Sequence, residues 1–161
     1  MKVATTLFIL FTLSGHAYAE KIRGIDLGDK CSYVKEVERS LGSKEIDKSI
    51  IVNLRKGDTL AFNGVHDGYP VLIMYSCINS IVTSQLLNLK YPDSESASFS
   101  FQKYQRYLEP EGEIVSVSEN KGEYPRIAWK LKSGATLSIN TTPLSSSVSL
   151  SIIKQDLEGQ L

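Results

Sequence analysis

Apolar and polar residues alternate along much of the chain with the two-residue period of a β-strand. The predicted strands are residues 50–54, 59–63, 71–77, 81–89, 113–118, 126–132, 135–141 and 148–153. Turn sequences separate several of them, including residues 65–68, Asn79-Ser80 and Ser133-Gly134. Turns this short join antiparallel neighbours, and the alternation gives each strand one apolar face. The pattern therefore predicts an antiparallel sheet that is covered on one side only.

Two other segments space their apolar residues three and four apart, as one face of a helix does. The first predicted helix is capped by Asp29 or Ser32 and extends to about Leu41. Gly42 follows it, where a glycine in the left-handed conformation commonly ends a helix. The apolar face of this helix comprises Cys31, Val34, Val37 and Leu41.

The second predicted helix is capped by Asp93 or Ser94 and ends before Pro110 and Gly112. Its apolar stripe is formed by Ala97, Phe101, Tyr104 and Leu108. The order of elements is thus helix, strands, helix, strands, which is compatible with a helix-then-strands unit that occurs twice.

The length of 161 residues suits one domain, and no segment between the elements has the composition of a linker. The two amphipathic helices are the natural cover for the apolar face of the sheet. The sequence therefore predicts an α+β fold, an antiparallel sheet with two amphipathic helices packed on one face, in a single domain of residues 20–161.

The start of the chain has the features of an export signal. Lys2 precedes an apolar stretch at residues 3–13, and residues 17–19 have the A-x-A form that signal peptidase cleaves. The stretch is too short to cross a membrane, because a spanning helix needs about 20 residues. We expect a signal peptide (1–19), periplasmic or secreted localisation, and no integral membrane segment after cleavage. The short single-lysine start suits a bacterial periplasmic protein, with eukaryotic secretion as the alternative.

Cys31 and Cys77 are the two cysteines of the chain, and both lie in the predicted mature part. An exported protein with two cysteines most often forms one disulfide bond. Two free thiols or a metal site are the alternatives, and a metal site would need ligands besides His66, the only histidine of the mature part. Because each cysteine lies on the apolar face of its element, a disulfide would hold the first helix on the sheet.

The charge balance excludes two classes of partner. The chain has 18 basic and 18 acidic side chains, a formal net charge of zero. A nucleic-acid-binding protein would have a basic excess, and adsorption to a membrane surface would need a polybasic segment. Glycine-rich phosphate loops and metal-binding motifs are also absent from the sequence, so we predict no cofactor.

The candidate catalytic residues do not combine into a recognisable site. His66 beside Asp67 could supply a general base, but neighbours in a tight turn seldom direct their side chains together. No G-x-S-x-G motif accompanies the histidine. The acidic residues of the first helix, Glu36 and Glu38, and those around Pro110 are interpreted as exposed charges rather than as a glycosidase pair. We therefore predict no catalytic residue, no metal site and no enzymatic activity.

One short region resembles a known family. Residues 22–28 (IRGIDLG), Val34, Val37 and the closing Leu41-Gly42 are similar to the repeat of the β-lactamase-inhibitor-protein-like fold, which small SmpA-type outer-membrane assembly lipoproteins also contain. Members of that group pack helices on one face of an antiparallel sheet and bind other proteins, so the resemblance implies this fold and this kind of role. It covers about residues 22–42. The usual proline after the closing LG and the lipid-attachment cysteine are missing, and no site residue carries over.

The polar face of the predicted sheet is either plain solvated surface or a protein-binding surface. The eight tyrosines of the chain favour binding, because tyrosine is enriched at interfaces. The expected partner-binding residues are Tyr69, Tyr91, Tyr124, Lys130, Lys132 and Asn140.

From these features the sequence predicts an exported, non-enzymatic protein-binding module. It would be an inhibitor or immunity-type protein whose rigid surface neutralises another protein. The alternative is an envelope assembly or accessory factor that docks on a larger complex.

Overall fold

The structure, a computed structural model, describes residues 21–47, 58–109, 112–118, 125–142 and 146–154. The predicted signal peptide (1–19), the predicted strand at residues 50–54, and Tyr124 lie outside the described residues.

The described residues form two helices and ten strands. The helices are α1 (Cys31–Ser40) and α2 (Ser94–Leu108). The strands are β1 (Lys21–Ile22), β2 (Ile25–Asp26), β3 (Lys44–Glu45), β4 (Asp58–His66), β5 (Tyr69–Ile78), β6 (Ile81–Lys90), β7 (Gly112–Ser118), β8 (Arg126–Leu131), β9 (Ala135–Thr142) and β10 (Ser147–Lys154).

Strands β3 to β10 form one antiparallel sheet in the order β3-β4-β5-β6-β10-β9-β8-β7. It consists of two meanders, β3–β6 and β7–β10, each preceded by a helix, and they join where β6 pairs with β10. Asp67 and Gly68, and likewise Asn79 and Ser80, have positive φ angles in the tight turns that reverse the chain. Turns of this type match the twist of the strands, so they favour neighbouring antiparallel pairs.

The predicted α+β class is wrong. The fold is dominated by one eight-stranded sheet, whereas the two helices have only 10 and 15 residues. Helix α1 buries just two side chains, Val34 and Glu38. The sheet is so extensive because the two meanders merge through β6 and β10 instead of forming separate sheets under separate helices. The described chain is therefore a sheet-dominated fold with two helices.

Two rows of side chains cross the sheet on the face that carries the helices. The Phe62 row consists of Phe62, Ile73, Leu87, Leu150, Ile139, Ile127 and Val117. The Leu60 row consists of Leu60, Tyr75, Gln85, Ile152, Leu137, Trp129 and Ile114. All members are buried except Val117 and Ile114 on β7. Val34 of α1 and Ala97, Phe101 and Leu108 of α2 belong to the same core.

Helix α2 begins as predicted. Asp93 precedes it, and its Oδ1 accepts a hydrogen bond from the backbone N–H of Ser96 at 2.7 Å. This bond satisfies one of the free N–H groups at the helix start. The predicted stripe faces the core, since three of its members are buried and Tyr104 packs against them.

Helix α1 begins differently from the prediction. Lys30 is its N-cap residue and makes no side-chain capping bond. Asp29 instead accepts a hydrogen bond from the backbone N–H of Asp26 at 2.9 Å, and Ser32 lies inside the helix. Gly42 follows the helix with φ of 76°, as expected of a glycine that ends one.

Cys31 and Cys77 form the predicted disulfide bond, with their Cα atoms 6.3 Å apart. The bond joins the first residue of α1 to β5. Two backbone hydrogen bonds support the same junction, from Cys31 N–H to Ser80 and from Val82 N–H to Asp29, both at 2.9 Å. The start of α1 is therefore fixed to the β5–β6 hairpin. Among the described residues, no helix has the length and apolar character needed to cross a membrane.

Candidate functional site

The buried apolar side chains of α1 and α2 all lie in the core on one side of the sheet. The other side, here called the open face, carries no described helix. Because side chains alternate along a strand, every second residue of each strand points to the open face. Its central part consists of Leu72, Met74, Leu86, Asn88, Thr136, Ser138, Asn140, Ser149 and Ser151.

The part of the open face on β5 and β6 is apolar. Met74 and Leu86 lie opposite each other, Leu72 lies two residues from Met74, and all three are half-buried. The interpretation that each strand has one polar face missed them. The signal was present in residues 71–75, where five apolar residues follow one another without alternation. Such an uninterrupted run is typical of a strand with two apolar faces.

The part on β9 and β10 is polar apart from Ile153, which lies opposite Thr136 and is 41% exposed. The hydroxyl groups of Ser138 and Ser151 are hydrogen-bonded at 2.7 Å. Thr136 and Asn140 flank Ser138 on β9, and Thr136 Oγ1 and Asn140 Oδ1 are buried without a hydrogen-bond partner among the described residues. An unsatisfied buried polar atom costs about 1–3 kcal/mol. Leu86 lies opposite Ser151, so the apolar and polar parts form one surface.

On the helix side of the sheet, a buried ionic cluster connects the β1–β2 hairpin, α1 and β5. Arg23 donates hydrogen bonds to both carboxylate oxygens of Glu38, each at 2.9 Å. Ser43 and Tyr75 donate to the same carboxylate at 2.6 and 2.5 Å. The side chains of Arg23 and Glu38 are 4% and 0% exposed. Every charge in the cluster is therefore paired, which holds these elements in one arrangement.

The protonation states in this cluster follow from burial and hydrogen bonding. Burial on its own would raise the pKa of Glu38, but hydrogen bonds from Arg23, Ser43 and Tyr75, together with the charge of Arg23, lower that pKa below its usual value. Burial and the bond to Glu38 raise the pKa of Tyr75. Glu38 is thus a carboxylate that accepts hydrogen bonds, and Tyr75 is a neutral donor.

The interpretation of Glu38 as an exposed charge is therefore wrong. Glu38 follows Val34 by four residues, so both lie on the side of α1 that faces the sheet. The partner that makes its burial possible, Arg23, comes from a different element. Glu36, by contrast, is exposed as predicted.

His66 and Asp67 lie at the turn between β4 and β5. Burial lowers the pKa of His66, against the opposing effect of the Asp67 charge. The Asp67 carboxylate accepts a hydrogen bond from Tyr104 Oη at 2.9 Å and lies 3.6 Å from Lys103 Nζ. The contacts of Asp67 with Tyr104 and Lys103 thus attach α2 to this turn.

Three of the predicted partner-binding residues lie on or beside the polar part of the open face. Lys130 on β8 and Asn140 on β9 point to the open face, because Lys130 is opposite Thr136 and Asn140 is opposite Ser149. Lys132 is exposed in the turn between β8 and β9.

The two predicted tyrosines that the structure describes, Tyr69 and Tyr91, pack against each other. Tyr69 is half-buried at the start of β5. Tyr91 is only 3% exposed, and its ring centroid lies 4.5 Å from that of Tyr69. Tyr91 is therefore a core residue and not the exposed contact residue that was predicted, because its ring packs inside the core instead of extending from the end of the strand.

Among the described residues, no three His, Cys, Asp or Glu side chains are arranged to hold a metal ion. Comparisons of the chain with models of known protein families, with curated proteins and with solved structures found no match. The resemblance of residues 22–42 to the β-lactamase-inhibitor-protein-like fold therefore stays a prediction.

Proposed function

We propose that the chain is an exported, non-enzymatic protein-binding module that neutralises another protein, as an inhibitor or immunity-type protein does. The observation that carries the proposal is the composition of the open face. Leu72, Met74 and Leu86 form an apolar patch directly beside hydroxyl and amide side chains. Protein interfaces combine an apolar centre with polar surroundings in this way.

The rigidity of the sheet supports the same proposal. The Cys31–Cys77 disulfide joins α1 to β5. The Arg23–Glu38 ion pair joins the β1–β2 hairpin to α1, and Tyr75 of β5 donates a hydrogen bond to the same Glu38 carboxylate. A surface that is already ordered loses less conformational entropy when it binds a partner. Disulfide bonds persist in oxidising compartments, which supports a periplasmic or secreted location.

Export is tested by expressing the full chain and sequencing the N-terminus of the protein found outside the cytoplasm. We expect this sequence to begin at Glu20, since residues 17–19 match the cleavage site. A chain that stays in the cytoplasm with its first residues intact would contradict the proposal.

Binding is tested with the tagged mature chain, residues 20–161, as bait in a periplasmic or secreted extract. We expect a stoichiometric complex with one soluble protein, whose affinity is then measured by isothermal titration calorimetry with purified components. Met74→Lys places a charge in the apolar patch and is expected to weaken binding by about tenfold or more, which corresponds to about 1.4 kcal/mol.

Leu41→Lys is the matched control, because Leu41 is an apolar residue that is 50% exposed just after α1, away from the open face. It is expected to bind like the unmodified chain. Equal loss in both variants would exclude the open face as the interface. Recovery of the bait only in a multiprotein membrane complex would favour an accessory factor instead.

A further inference from the structure

The two edges of the sheet differ in length and charge. β3 at one edge has two residues, Lys44 and Glu45, both exposed, and Glu45 accepts a hydrogen bond from Lys35 at 2.7 Å. β7 at the other edge has seven residues, Gly112–Ser118, of which Glu113 is the one charged residue. Short charged edges discourage the addition of another strand, whereas long apolar edges favour it.

β7 exposes three β-branched apolar side chains. Ile114, Val115 and Val117 are 48, 53 and 52% exposed. No described strand pairs with the outer edge of β7. Residues of this type favour extended structure. The edge therefore combines backbone hydrogen-bonding groups with apolar side chains that another strand could cover.

Ile114 and Val117 are also the last members of the two core rows. Ile114 lies opposite the fully buried Trp129, and Val117 lies opposite the buried Ile127. At the β4 end of the same rows, Leu60 and Phe62 are buried. Among the described residues, the apolar rows are thus buried at the β4 end and exposed at the β7 end.

We propose that β7 pairs with β7 of a second copy of this chain, so that two sheets join into one continuous antiparallel sheet. A two-fold axis perpendicular to the sheet keeps the helices of both copies on the same side. Each residue must then lie opposite a residue that points to the same side of the sheet. On β7, Ile114 and Val117 point to the helix side, and Glu113 and Ser116 point to the open face.

The register that meets this condition at positions 113, 114, 117 and 118 places Ile114 of each copy opposite Val117 of the other. Apolar residues then meet apolar residues in two symmetric pairs. Glu113 lies opposite Ser118, so the two Glu113 side chains do not face each other. The β-bulge of β7, between Ile114 and Ser116, falls at the two-fold axis.

This pairing continues the core across the interface. The Phe62 row of one copy ends at Val117 and meets Ile114, the end of the Leu60 row of the other copy. An isologous contact of this kind is self-complementary and closes as a dimer. The proposal is independent of the partner-binding role of the open face, whose apolar patch lies on β5 and β6, at the other half of the sheet.

The test is sedimentation equilibrium of the mature chain over a wide concentration range, with Val117→Lys as the edge variant. We expect the unmodified chain to dimerise reversibly and Val117→Lys to raise the dimer dissociation constant by about tenfold or more. Val65→Lys is the matched control, because Val65 is 60% exposed on β4, far from β7 in the strand order. This variant should dimerise like the unmodified chain. If Val117→Lys proves unfolded by circular dichroism, Val117→Thr tests the same contact with a nearly isosteric side chain.

The register is tested by mixing the Ile114→Cys and Val117→Cys variants under mild oxidation. The mixture is expected to form more crosslinked dimer than either variant alone, because only unlike positions lie opposite each other. An unmodified chain that stays monomeric, or a dimer that Val117→Lys leaves intact, would overturn the proposal. A monomeric chain that binds only an unrelated extended peptide at β7 would overturn it as well.

Discussion

Arg23 and Glu38, 15 residues apart in the sequence, form a buried two-pronged ion pair whose nitrogen–oxygen distances are both 2.9 Å. Arg23 also donates a hydrogen bond to the backbone carbonyl of Val65 on β4 at 2.8 Å. Arg23 has φ of 59° at the tip of the β1–β2 hairpin, a conformation that residues other than glycine rarely adopt. The cluster therefore connects the hairpin, α1 and the sheet through one side chain.

Removal of one partner from this pair is expected to destabilise the fold. Glu38→Ala leaves the Arg23 charge buried without compensation and should lower the free energy of unfolding by about 3–5 kcal/mol. The control Glu36→Ala changes an exposed residue of the same helix and should alter the free energy of unfolding by about 0.5 kcal/mol or less. Urea titration at neutral pH measures both, and equal losses would show that Glu38 is not a buried partner of Arg23.

Gly64 makes room for the Ser43 hydroxyl of the same cluster. A Cβ atom at position 64 would lie 2.6 Å from Ser43 Oγ and 3.2 Å from Ile73 Cδ1. Gly64→Ala should therefore lower the free energy of unfolding by about 1–3 kcal/mol through overpacking. The same substitution in a Ser43→Ala background should lower the free energy of unfolding by a smaller amount, because Ser43 Oγ, the atom nearest to the added Cβ, is then missing. A double-mutant cycle by urea titration checks this, and identical costs in both backgrounds would argue against the contact.

The disulfide is expected to contribute a large share of the stability. A sequence separation of 46 residues corresponds to about 4 kcal/mol of loop-closure entropy in the unfolded chain. The Cys31→Ala/Cys77→Ala variant should lose a comparable free energy of unfolding, measured by chemical denaturation. Dithiothreitol should destabilise the unmodified chain and have no effect on this variant. A reductant effect on both proteins would indicate a cause other than the disulfide.

Acidification is expected to destabilise the fold in two steps. The pKa of His66 is lowered in the folded state, so the unfolded chain binds the proton first and stability falls as the pH drops below 6.5. The pKa of Glu38 is also lowered, so its contribution is complete above about 4.5 and is lost as the pH falls through the folded pKa.

His66→Gln separates the two steps, because it removes the titrating group of the first. The free energy of unfolding of this variant is measured at a series of pH values. It should no longer decline just below pH 6.5, but it should still decline at lower pH. A variant that retains the full decline below pH 6.5 would assign that step to another group.

The local elements were predictable from neighbouring residues. The spacing of Ala97, Phe101 and Leu108 indicated the buried face of α2, and Asp93 indicated its first turn. Alternation correctly placed Leu60 and Phe62 on one face of β4. Two cysteines on apolar faces correctly indicated the disulfide. Each of these inferences depends on periodicity or on the chemistry of a residue type, which the sequence shows directly.

The errors concern relations between distant segments. The local pattern of α1 indicated that Glu38 is an exposed charge, but Glu38 is buried because Arg23 of the β1–β2 hairpin pairs with it. The local pattern placed Tyr91 at the exposed end of a strand, but Tyr91 is a core residue whose ring packs against Tyr69. The apolar part of the open face was visible in residues 71–75, but its continuity with Ser151 depends on the pairing of β6 with β10.

The order of residues by itself determined the turns, the strand and helix periods, the apolar stripe of α2 and the choice of disulfide, but not the buried face of α1, where Leu41 is exposed and Glu38 is buried. Only the tertiary structure decided that both meanders merge into a single sheet, which charge is buried, and which apolar side chains stay uncovered at the β7 edge. The physical reason is that periodicity indicates the direction of a side chain, whereas its burial depends on whether residues from a distant part of the chain pack against it.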